Sequence, residues 1–195
     1  MTLEDRLIAA VRASPTLMRV MTGVRALDLP DWRLVSGCVY QTVWNAVTGR
    51  PPDHGLKDYD AVYFDPDITY DAEDVHIRRA VATFAPPLNR LVEVRNQARV
   101  HLWFEGKFGE PYAPLRCTDE ALERFVCPAF AVGVRLEADD AITVAAPFGL
   151  DDVFALRLRP NPNRPFNAQG YARVIASVQA RWPEILIGPP PIPGE

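Results

Sequence analysis

Leu3, Leu7, Ile8 and Val11 recur at the spacing of one helical face, with Glu4, Asp5 and Arg6 between them. This predicts an amphipathic first helix, interrupted at Pro15, whose ring removes a backbone donor. Leu17, Val20, Met21 and Val24 repeat the pattern and predict a second helix from about residue 16 to 25. Asp28, Pro30 and Asp31 break it, and Trp32, Arg33, Leu34 and Val35 read as a short buried strand. Val39, Val43 and Val47, with Tyr40 and Trp44 beside them, stripe a third helix that Gly49 ends. A strand therefore runs through Ser36 and Gly37 straight into a helix. After a turn-rich loop over 49–55, Asp58, Tyr59 and Asp60 enter a second strand that continues into Ala61, Val62, Tyr63 and Phe64. Ile77, Ala80, Val81 and Phe84 stripe a fourth helix whose first turn is acidic and which Pro86 and Pro87 stop. Leu91, Val92 and Val94 form a third strand with a single acid, Glu93, among them.

The remainder predicts structure more readily than chemistry. A helix starts at Cys117, Thr118, Asp119 and Glu120, with Leu122, Phe125 and Val126 as its apolar face. Residues 130–136 and 142–144 read as strands of a hairpin around Ala138 to Ala141, and 147–154 as a structural loop. Asn167 caps a last helix that buries Tyr171, Val174, Ile175 and Val178, and the segment 183–195 is a proline-rich extended tail. The expected fold is α+β, a mixed β-sheet flanked by helices with an elaborated C-terminal half. One domain spans 1–182, with a catalytic core over about 32–104 and the elaboration over about 105–182.

Composition narrows the function classes. A 195-residue chain that is 48% hydrophobic and 24% charged is an ordinary globular protein with room for a core. Its formal net charge of −4 argues against a general nucleic-acid binder, leaving only a local basic cleft for such a partner. Cys38, Cys117 and Cys127 lack paired spacing, which excludes a disulfide framework or a zinc ribbon and fits a reducing cytoplasm. No leader and no membrane-spanning run is expected.

Three stretches carry candidate chemistry. Asp58 and Asp60, two residues apart on a strand, point to one face and converge on one point. Such a pair repels unless one member keeps its proton or a divalent cation, Mg2+ or Mn2+, stands between them. At the strand-to-helix turn, free amides and the positive end of the helix dipole favour a phosphate; Gly37 lets the backbone approach it and Ser36 adds a hydroxyl. Glu93, inside an apolar run, needs a partner if buried; beside the Asp58 strand it completes a three-carboxylate cluster, with Arg95 on its own face. A solvated edge strand pairing Glu93 with Arg95 is the plain alternative. Lys57, Arg95 and Arg99 are further candidates for phosphate contacts, and His54 reads as a solvated loop histidine.

These residues together resemble the DNA polymerase β-like nucleotidyltransferase superfamily, in which a glycine-containing turn is followed by paired acids and a third acid on a later strand. More closely, the stretches around Ser36, Gly37 and Cys38, around Asp58 and Asp60, and from Glu93 to Trp103 are similar to a small bacterial nucleotidyltransferase-like family, over most of the chain. The resemblance implies that Ser36, Gly37 and Cys38 hold nucleotide phosphates and that Asp58, Asp60 and Glu93 bind metal. It implies transfer of a nucleoside monophosphate from a nucleoside triphosphate to a hydroxyl acceptor, with pyrophosphate released. Cys38 stands where the family has Gly or Ser, and Glu93 where it more often has Asp. The acidic balance favours a small-molecule or protein acceptor. An RNA end, or a binding protein that senses nucleotides without turnover, are the alternatives.

Overall fold

The computed structural model describes residues 1–189. Thr2 caps α1 (Leu3–Arg12) in a reciprocal box with Asp5. Pro15 does not interrupt that helix as expected; it opens α2 (Pro15–Ala26), where the missing N–H costs nothing, and Ser14 caps the helix by accepting from Leu17 N. There follow β1 (Arg33–Val35), α3 (Gly37–Thr48), β2 (Tyr59–Tyr63), α4 (Tyr70–Thr83) and β3 (Val92–Asn96). The C-terminal half contributes α5 (Phe104–Phe108), α6 (Asp119–Leu122), β4 (Gly133–Leu136), β5 (Ile142–Ala145), α7 (Asp151–Phe154), β6 (Arg157–Leu158), α8 (Ala168–Gln179) and β7 (Leu186–Ile187). The loop read at 147–154 thus closes in a helical turn, and Val153 O accepts the indole N–H of Trp44 at 3.0 Å. Of the expected tail, 186–187 pairs in parallel with β6, and residues 190–195 lie outside the described residues.

Five strands form one sheet in the order β3-β2-β1-β4-β5, parallel only between β2 and β3. This is the mixed α+β sheet expected. Side-chain alternation divides it into two unlike faces. Leu34, Tyr59, Ala61, Tyr63, Val92, Val94, Val134 and Leu136 point into the main core, against the apolar stripes of α1 to α4. The other face carries Asp60 opposite both Val35 and Glu93, and Val62 opposite both Arg33 and Arg95. A smaller apolar cluster of Val35, Val62, Leu122 and Ala131, with Phe125 and Phe148 against it, covers part of that face. Glu93, Arg95 and part of Asp60 remain accessible beside it.

Candidate active site

Val35 ends β1 and Gly37 begins α3, so Ser36 alone makes the turn, at φ 63° and ψ −141°, a region that non-glycine residues avoid. Its carbonyl accepts from Val39 N at 3.0 Å and Tyr40 N at 3.2 Å, which leaves the Gly37 and Cys38 amides without an intrahelical acceptor. No side chain caps this helix start. A Cβ on Gly37 would stand 2.9 Å from Nε2 of Gln41, so glycine also makes room for that buried amide. Cys38 donates its thiol to Val35 O at 3.1 Å, and burial pushes its pKa up. The side chain is thereby withdrawn from any ligand; what Cys38 offers a phosphate is its backbone N–H.

The parallel register places Asp60 directly opposite Glu93, as a strand beside the Asp-x-Asp strand requires. Asp58 lies one residue before β2 and is exposed; Asp60 is half-buried. Burial, then the charges of Asp58 and Glu93, push the Asp60 carboxyl up to about 6, against the opposing Ser36 hydroxyl and Arg95. Among the described residues no cation forms an ion pair with Asp58 or Asp60. Of the two readings of Glu93, the exposure matches the solvated edge strand, while the register still sets it beside Asp60: β3 is an edge strand, and the Glu93 side chain is 51% exposed, 3.8 Å from Nη2 of Arg95.

The donor set was tested against a divalent cation. Among the described residues no three Asp, Glu, His or Cys side chains already form a metal cage. Yet Asp60 is a half-buried carboxylate destabilised by two neighbouring acids, and among the described residues no cation pairs with it directly. That chemistry fits an ion held by a few carboxylates and completed by phosphates and water.

Asp60, Glu93, Arg95 and Ser36 line one end of a cleft of about 600 Å3. Its other end was missed from the sequence: Trp103, Phe104, Lys107 and Phe108 on or beside α5, with Tyr112, Arg124 and Arg164. The interleaving of aromatics with Lys107 over 103–112 was the available signal.

Three further candidates stand elsewhere. Lys57 is exposed and does not line the cleft. Arg99 is withdrawn from phosphate duty: it pairs with Glu73 at 3.0 Å, donates to Thr69 O at 3.1 Å and lies over the Tyr70 ring. Glu73 also accepts from Asn96 N at 2.8 Å, so this buried pair ties β3 to α4. His54 is not solvated as read; its ring meets Trp182 edge-on at 5.6 Å, with Nε2 3.3 Å from Arg181 O. No helix among the described residues is long and apolar enough to cross a membrane.

A family model described as "Nucleotidyltransferase" matches residues 22–187 of this chain. A solved structure described as "The NMR structure of the protein reveals a CCA-adding enzyme head domain" shares the fold, with a TM-score of 0.74 and 24% identity, covering 93% of this chain and 94% of that one. No curated protein matches the chain.

Proposed function

This chain belongs to the nucleotidyltransferase family, and from that membership we propose that it moves a nucleoside monophosphate from a nucleoside triphosphate to a hydroxyl acceptor, with Asp58, Asp60 and Glu93 as its divalent-metal ligands. The observation that carries the assignment is Asp60, crowded by two acids whose repulsion the more distant Arg95 only partly offsets. A divalent ion bound there would neutralise charge on the triphosphate and on the departing pyrophosphate.

The chain's own groups supply the rest. The Gly37 and Cys38 amides donate to phosphate oxygens at the positive end of α3. Arg95, on the sheet face beside Glu93, offsets further phosphate charge. The acceptor hydroxyl oxygen bonds to the α-phosphorus as the bond to pyrophosphate breaks, and its proton passes to a carboxylate, for which Glu93 on the accessible edge strand is suited. Holding both reactants in line is the larger part of the acceleration.

A second reading concerns the acceptor. The preference for a small molecule or protein rested on net charge, which averages over the molecule. Locally the cleft gathers Arg95, Lys107 and Arg124 among aromatic rings, and the similar fold belongs to a CCA-adding enzyme head domain. Both favour an RNA end.

The test is calorimetric binding of each nucleoside triphosphate with Mg2+ or Mn2+ and again with a chelator. We expect metal-dependent binding of at least one triphosphate, weakened more than about tenfold in Asp60→Asn and Asp58→Asn. Parent-like, metal-dependent binding by both variants would refute the site.

A further inference from the structure

The carboxylate cleft shares a wall with a second cavity of about 510 Å3. Phe104, Lys107, Phe108, Val126 and Arg164 line both, so the two cavities adjoin along α5 and the Arg164 side chain. Arg164 is fixed in place: it donates to Glu110 from Nε at 2.9 Å and from Nη2 at 2.6 Å, lies over the Phe104 ring, and the pair is mostly buried. Glu110 therefore cancels that charge. Lys107 and Arg173 are different. Both line the second cavity, and among the described residues neither has a carboxylate partner; Lys107 contacts only the rings of Trp103 and Phe108.

The rings are themselves unusual. Phe108 is 49% exposed and Phe166, meeting Tyr171 edge-on, is 41% exposed, and both line this cavity. Single exposed apolar side chains are common in proteins. Two open rings beside two unpaired cations, in a walled cavity that adjoins the carboxylate cleft, are a ligand's complement. Rings offer stacking to a planar base and free cations offer charge to a phosphate, and a nucleotide carries both.

A transferase holds two substrates at once. The donor's triphosphate occupies the Asp60 cleft, which leaves the cavity across α5 for the second. We infer that this cavity is the acceptor subsite and that it takes a nucleotide, its base against Phe108 and Phe166 and its phosphate against Lys107 and Arg173. The inference rests on the proposed transferase reading and names its acceptor. The nucleophile is then the acceptor's sugar hydroxyl: its oxygen bonds to the α-phosphorus, pyrophosphate leaves, and its proton passes to a carboxylate. A free mononucleotide and the terminal nucleotide of a single strand present the same chemistry.

The experiment titrates the full chain with AMP and with a short oligoadenylate, in chelator so that donor binding is suppressed, using the parent, Phe166→Ala, Arg173→Gln and Asp60→Asn. Phe166 and Arg173 are exposed, so circular dichroism should report intact folds. We expect the parent to bind, both cavity variants to bind about tenfold or more weakly, and Asp60→Asn to bind like the parent. Preference for the oligoadenylate identifies a strand end, and equal affinity a free nucleotide. Absence of binding by either ligand, parent-like binding by both cavity variants, or a matching loss in Asp60→Asn overturns the inference. Metal-dependent triphosphate binding that survives Phe166→Ala and is lost in Asp60→Asn would keep the reaction assignment even then.

Discussion

Asp60 holds its proton to about pH 6 because it is half-buried with Asp58 and Glu93 as neighbours, and this makes the site a source of instability in the metal-free protein. The folded-state pKa lies above the model-peptide value of about 3.9. The stability linked to it is therefore fully present below pH 4 and is lost as pH rises through about 6. A shift of this size corresponds to about 3 kcal/mol. Asp60→Asn removes the titration and should melt above the parent at pH 8 and near it at pH 4 when both are kept in chelator. Cation affinity runs the other way, rising through pH 6 as the ligand loses its proton. Urea unfolding of both proteins across this range measures the difference directly. A gap between parent and variant that stays constant with pH would mean that Asp60 titrates normally. Ser36, at positive φ beside the same carboxylate, is a second costly residue at the same place. Strain concentrated at one point is what a built site shows.

The element that presents Asp58 is a loop, and the C-terminal half holds it. From α3, the fully buried Asn45 donates to Pro52 O at 3.0 Å and His54 O at 2.9 Å, and accepts the Trp182 indole N–H at 2.9 Å. Arg181 donates to Gly55 O at 2.7 Å, just beyond the end of α8. Gly55 has φ +72°, and a Cβ there would stand 2.7 Å from the Trp182 ring, so the loop closes against the indole only with glycine. The C-terminal elaboration thus positions the loop that carries Asp58 as well as walling the cleft. Asn45→Ala would leave the buried Trp182 indole N–H and two part-buried carbonyls without that partner, at about 3 kcal/mol. We expect that loss in denaturant titrations. Hydrogen exchange should also speed up at the His54 and Leu56 amides, whose turn bonds to Pro51 O and Asp53 O depend on the loop's shape. A drop in stability with unchanged exchange over 53–58 would show that other contacts hold the loop.

At the scale of the whole molecule, the chain's periodicities encode which faces are buried, and they made most elements readable. Asp60 and Glu93 were readable because strand alternation and strand adjacency decide where they point. Which of the two readings of Glu93 holds, burial or a solvated edge beside Arg95, was not, since a strand's place at the edge is set by what fails to pair with it. Nor was the far cleft wall readable. It depends on Arg164 meeting Glu110 across 54 residues, a contact that leaves no local pattern. Net charge says little about the acceptor for a related reason: −4 is a sum over the chain, while a ligand responds to the few charges within a Debye length. This has a measurable consequence. With a negative whole and only Lys107 and Arg173 unpaired at the second cavity, a bound single strand engages about two phosphates. Its affinity should then fall with a log–log salt slope of about −1 to −2 between roughly 50 and 200 mM salt, from about −0.7 per phosphate. A basic tract running along the surface would instead give a slope near −4 or steeper, and such a slope would move the strand off the cavity. A shallow slope that vanishes in Arg173→Gln would tie the electrostatic contact to the same residue as the binding.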